Sequence, residues 1–152
     1  MAETYIAGGR TAATLATLDH AVAVLWNPST TRSLGVIQLE FSVTTAGVAN
    51  AVIQRTTARG TAGSTVTADI DNAFSRVAAP PSGALFDLAA FSVQPTLDAS
   101  ELARWATAAV IGAGRIWTWP EPITVPAGAG LGLLTATAVI FPASDVTVMW
   151  RE

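Results

Sequence analysis

The chain contains no cysteine, no lysine and a single histidine, and charged residues make up only 12% of its 152 positions. Without thiols there is no disulfide, no thiolate nucleophile, no iron–sulfur cluster and no cysteine-ligated zinc. Without lysine there is no Walker-type phosphate lysine, no Schiff base and no lysine general base. All eight basic residues are arginines, at positions 10, 32, 55, 59, 76, 104, 115 and 151, and the net charge is −3. That balance argues against an electrostatic grip on nucleic acid or on anionic lipid. The opening MAETYIAGGR lacks a basic region followed by an apolar one, so it does not read as a secretory signal. The chain is expected to stay where it is made or to leave by cell lysis.

What is present is apolar: 51% of the residues are hydrophobic. That excludes a disordered polymer and predicts one domain spanning 1–152, a length that one core fills comfortably. Every residue between Glu121 and Asp145 is uncharged, long enough in principle to cross a bilayer of roughly 30 Å as a helix. Pro122, Pro126 and Pro142, with glycines at 128, 130 and 132, make it poor helix material. Two strands and a turn fit it better, and no membrane partner is expected.

Period-two alternation recurs along the chain. In 34–45, Ile37, Leu39, Phe41 and Val43 point one way and Gln38, Glu40 and Ser42 the other, the pattern of a strand with one dry face. A turn at 46–50 then leads into 51–57, so these two runs are expected to pair as a hairpin. Further strands are predicted at 21–26, ended by Asn27 and Pro28, and at 65–70, 86–93, 115–119, 122–125, 131–140 and 146–150. This count predicts an all-β, jelly-roll-like antiparallel sandwich of two sheets. One short α-helix is expected at about 98–110. Asp98 can cap it, Glu101 can reach back to the cap, and Leu97 can pack on Leu102, with Trp105 or Ala106 and Ala109 following on one face.

Catalytic and metal patterns are weak. His20 stands before a strand with no GxSxG elbow anywhere, and reads as a turn histidine. Asp69, Asp71 and Asn72 begin a calcium-loop pattern, but Ala73 and Phe74 occupy the places of its next ligand and turn glycine. The glycines of 128–132 lack dinucleotide spacing and enter a strand, and RGTAGST at 59–65 lacks the phosphate-loop lysine. No catalytic residue, cofactor or metal is expected.

Five tryptophans are the best handle. Trp117 and Trp119, two apart on an extended run, face one side of a sheet, either as core or as contact surface. Trp105 beside Arg104 poses the same choice. Tryptophan and arginine are enriched at the energetic centres of interfaces, so Trp105, Arg104, Trp117, Trp119 and Arg115 form the candidate interface set.

The segments LWNPSTTRSLGVIQLEFSV, VIQRTTARGTAGSTVT, WTWPEPITVPAGAGLGLLTATA and the final VTVMWRE give the chain its resemblance to small structural proteins of tailed bacteriophages and prophages. It looks like their jelly-roll head-associated proteins, of which capsid decoration or cement proteins are the best understood. The resemblance implies a non-enzymatic virion protein, assembled in the host bacterial cytoplasm, that binds the major capsid protein as a homotrimer. A tail or head-fibre module recognising a host glycan or surface receptor is the alternative, since the same sandwich serves both.

Overall fold

The computed structural model describes residues 3–14, 17–66, 82–88 and 90–152. Among the described residues there are ten strands and no helix. They are β1 (Thr4–Thr11), β2 (Ala21–Trp26), β3 (Leu34–Val43), β4 (Asn50–Ala58), β5 (Ser64–Val66), β6 (Leu85–Leu88), β7 (Thr96–Ala106), β8 (Gly114–Val125), β9 (Gly130–Thr135) and β10 (Ser144–Arg151). They form two antiparallel sheets, one of four strands in the order β1-β10-β3-β8 and one of six in the order β5-β6-β2-β9-β4-β7.

The pairings nest. β1 pairs with β10, β2 with β9, β3 with β8, β4 with β7 and β5 with β6. The topology is that of one long antiparallel ribbon folded at β5 and β6 and rolled so that successive pairs fall in alternate sheets as far as β4/β7. Contacts of β10 with β3, β2 with β6 and β4 with β9 stitch neighbouring turns of the roll together.

The two sheets bury a common core. The four-stranded sheet contributes Tyr5, Val36, Leu39, Phe41, Trp117, Val148 and Trp150, and the six-stranded sheet Val22, Leu25, Ile53, Phe86, Leu131 and Leu133. Tyr5 stacks on Trp150 with ring centres 5.9 Å apart, and Phe41 lies 5.8 Å from Trp117 and 5.5 Å from Phe141. A second cluster, with Val24, Val52, Phe91 and Leu134, covers the outer face of the larger sheet. Strands β2 and β9 are therefore dry on both faces, which explains why AVAVLW and GLGLLT read as continuous apolar runs and not as alternation. Gln94 pins the covering segment: its carboxamide oxygen accepts the Ala21 N–H at 2.7 Å and its nitrogen donates to the Phe91 carbonyl at 3.2 Å.

Several sequence expectations are corrected. Residues 98–110 form no helix: Thr96–Ala106 is β7, an edge strand paired with β4. β4 has β9 on one side only, and its other row of backbone groups needs a partner, a tertiary demand that outweighs the local helix signal. The expected cap Asp98 accepts the Ala99 N–H at 2.7 Å, and its carbonyl accepts from Gln54. The expected hairpin between 34–45 and 51–57 is also absent, because β3 and β4 lie in different sheets and 44–49 crosses between them. Ile37 is skipped by both neighbouring strands, so the buried phase changes from Leu34 and Val36 to Leu39, Phe41 and Val43. The runs at 115–119 and 122–125 join as β8, with residues 119–122 skipped in its register, while 86–93 and 131–140 shorten to β6 and β9. Of 65–70, only 65–66 fall within β5, and the rest lie outside the described residues.

At one end of the sandwich a buried asparagine ties the sheets together. Asn27 Nδ2 reaches the carbonyls of Arg32 at 2.8 Å, Pro126 at 3.1 Å and Val125 at 3.3 Å, and Oδ1 accepts the Ser29 N–H at 3.1 Å. Asn27→Ala removes all of these and is expected to lower the unfolding free energy by about 1–3 kcal/mol, read from urea denaturation. Thr30→Ala in the same loop, an exposed position, is expected to change it by less than about 0.5 kcal/mol.

Candidate functional site

The single histidine packs beside Gln94 just before β2. His20 is buried, its backbone N–H donates to Thr135 Oγ1 at 2.8 Å, and its ring nitrogen Nε2 lies 2.9 Å from the Gln94 amide nitrogen. Among the described residues no three histidine or carboxylate side chains come close enough to hold a metal ion. Asp69, Asp71, Asn72 and Arg76 lie outside the described residues. The buried Asp87 is matched by structure: Arg59 binds both its oxygens at 2.6 and 2.7 Å, and Thr65 Oγ1 donates at 2.7 Å. This clip joins β6 to β5 and to the segment before it. No helix of the described residues is long and apolar enough to cross a membrane.

The five candidate interface residues divide. Arg115 and Trp117 lie opposite Phe41 and Leu39 on the face of β8 that looks into the sandwich. Trp117 fills the core against Phe41, and Trp119 packs half-buried beside it. Arg115 reaches only the border of that face, where its guanidinium covers the Trp105 ring at 4.2 Å. Trp105 lies opposite Ala51 on β7 and is 39% exposed, while Arg104, opposite Val52, emerges on the other face of the sheet. The structure thus brings Trp105 and Arg115 together on one flank, leaves Arg104 on the outer face of β7, and sends Trp117 and Trp119 inward. Arg104 donates to both Glu101 carboxylate oxygens and to the Ala136 carbonyl at 3.1 Å. Two shallow depressions border this flank. One of about 410 Å³ includes Glu40, Gly114, Arg115 and Ile116, and one of about 340 Å³ includes Asn50, Arg104, Trp105 and Thr137.

Sequence reasoning missed the more distinctive surface. The connections 44–49, 107–113 and 136–143 read TTAGVA, TAAVIGA and ATAVIFPA, with no charged residue in any of them. They meet at one end, held by backbone bonds from Thr107 N to Ala49 O, Gly112 N to Val43 O and Thr44 N to Ala143 O. Nine large apolar side chains are exposed among the described residues. Six of them, Leu18, Val48, Val110, Ile111, Val139 and Ile140, stand on these connections or on the neighbouring 12–20 segment. Trp105 and Ile116 border the same end, so eight of the nine cluster there. The opposite end carries the polar NPSTTRS of 27–33, Glu3 and Glu152. Ordinary surface apolar residues are scattered, and a cluster confined to one end marks a contact surface. A legible signal existed in Gly112 and Pro142, which stand just beyond the runs read as a helix at 98–110 and a strand at 131–140.

Comparison with known families, with curated proteins and with solved structures finds no match to this chain.

The flank makes a pH prediction. Hydrogen bonds from Arg104 hold the Glu101 carboxyl below its ordinary range. A carboxylate depressed on folding adds stability above its unfolded value, and that contribution disappears as pH falls through the lower folded value. Wild type and Glu101→Gln are expected to differ by a constant small amount well above the ordinary glutamate value of about 4.3 and to converge only as pH falls below that value. Urea midpoints measured on both sides of that value check this, and 1 M salt is expected to shrink the difference because the pair is exposed.

Proposed function

We propose that this chain is a non-enzymatic virion structural protein. It acts as a capsid decoration protein that binds the major capsid protein as a homotrimer in the particle assembled in a bacterial host. The apolar end carries this reading. Three uncharged connections converge on a surface that water solvates poorly, while the far end is polar, the asymmetry of a module built with one end covered. The nested strand pairs give further support. β1-β10-β3-β8 facing β2-β9-β4-β7 is the arrangement expected of an eight-stranded jelly roll, with β5 and β6 as an added hairpin, and viral capsid domains are among its users. Repeated copies bind by multiplicity, so modest contacts suffice at each site.

A tail or fibre module binding a glycan is the second reading, favoured by the exposed Trp105 beside Asn50 and Arg104 in the 340 Å³ depression. Co-sedimentation with empty shells of the phage or prophage that encodes the chain separates the two. Saturable binding at a fixed ratio to capsid subunits is expected, unchanged by Trp105→Ser beyond about threefold. Absence of shell binding together with a glycan-array signal lost in Trp105→Ser overturns decoration in favour of the second reading.

A further inference from the structure

We propose that copies of this chain associate with one another through the apolar end. The tips at Val48, Val110–Ile111 and Val139–Ile140 of each copy are covered by the same surface of its neighbours around a rotation axis. The proposal rests on the oligomeric half of the reading above and does not depend on the virion assignment.

The tips are held rigidly, as an interface requires. Val110–Ala113 is a β-turn closed by the Ala113 N–H on the Val110 carbonyl at 3.0 Å, with Gly112 at φ +84° in the place where a type II turn needs glycine. Further bonds from Gly112 N to Val43 O and from Val43 N to Ala113 O, each 2.8 Å, fix the turn to the end of β3. Ile111, at the turn's outer corner, is 65% exposed. In 136–143, Phe141 is buried against Phe41 and its backbone is bonded to Thr14, which leaves Val139 and Ile140 projecting before an anchored residue. Little order remains to be gained when such tips are covered, so association loses little to side-chain and loop entropy.

Charge selects the occupant. Around the end, Arg10 is bound to both oxygens of Asp145 and Arg104 to both oxygens of Glu101, while Arg115 lies over Trp105 and Glu40 and Asp19 add negative charge. A bilayer with anionic headgroups would need an excess of cations on this rim, and the chain, without lysine and at −3, supplies none. A rim carrying both signs is complementary to a rotated copy of itself. The sheet edges offer a poorer route. β8 is interrupted by Pro120, Glu121 and Pro122, and β7 carries Asp98, Glu101 and Arg104.

Light scattering coupled to size exclusion, on the whole chain, tests the proposal. Wild type is expected at about three times the 15.6 kDa chain mass, and Ile111→Asp/Val139→Asp at the mass of one chain with an unchanged far-ultraviolet spectrum. Thr31→Asp, at the polar end, is expected to keep the wild-type mass. If the double variant does not fold, Ile111→Ser is expected to weaken self-association at least tenfold by sedimentation equilibrium. A monomeric wild type overturns the proposal, as does a folded double variant that keeps the oligomer. Sedimentation of a monomeric wild type with phosphatidylcholine/phosphatidylglycerol vesicles, lost in the double variant, overturns it in favour of lipid. An oligomeric double variant that no longer binds shells assigns the end to the shell, overturning this inference and leaving decoration standing. A dimer dissociated by the same substitutions supports the surface and overturns only the trimeric stoichiometry.

Discussion

Phe41 lies between Trp117 and Phe141, and this buried aromatic group fixes both the flank and the apolar end. Through Trp117 it sets the height of β8, and with it the position at which Arg115 meets Trp105 across the gap between sheets. Through Phe141 it anchors the 136–143 connection, whose Val139 and Ile140 must then face water. The backbone is equally close here. A side chain at Gly114 would collide with the Phe41 carbonyl, so β8 can begin beside β3 only with glycine at that position. Loss of the Phe41 ring would be felt as a core cavity and also as a displacement of β8 and of the 136–143 connection.

The nested pairing has a physical cost that the core offsets. β1 and β10 lie at opposite ends of the described chain, and closing so long a loop is slow and entropically unfavourable until the inner pairs are in place. The short β5/β6 pair closes the smallest loop of the ribbon, and Asp87, Arg59 and Thr65 secure it with charged hydrogen bonds. A buried carboxylate is expensive unless fully matched. Its presence on β6, where the apolar contribution of a four-residue strand is small, is understandable as a fixing of register.

The strand content was legible because most strands bury one face, and alternation reports that directly. Ala21–Trp26 agrees to the residue, and the 34–45 and 51–57 runs agree within a few positions. What failed was partnership. Nothing local in Val43 or Asn50 says that 44–49 crosses between sheets and does not turn back on itself, because both solutions need only a short uncharged connection. β7 failed for a different reason. Asp98, Glu101 and Leu102 satisfy a helix start locally, and only the unpaired edge of β4 outweighs them. Among the candidate interface residues, the spacing correctly put Trp117 and Trp119 on one face. Whether that face is dry depends on the opposing sheet, which no spacing reveals. Trp105 and Arg115 meet because β7, an edge strand where a helix was expected, lies across from β8, the edge strand that holds the 115–119 run.

The apolar connections were hidden by the same logic that made the strands visible. Val110 fell within the run read as a helix, and Val139 and Ile140 within the run read as a strand, whereas a water-facing connection of such composition runs against the usual chemistry of turns. Such local contradictions concentrate where a surface has a task beyond folding. Here the contradiction is spatially ordered. Uncharged connections occupy one end, and a polar loop with Asn27 at its base occupies the other. Folding alone gains nothing from leaving Ile111 and Ile140 in water, and replacing them with serine or asparagine would serve the monomer better. Their position on turns held by main-chain bonds is what the self-association proposed for this end would account for.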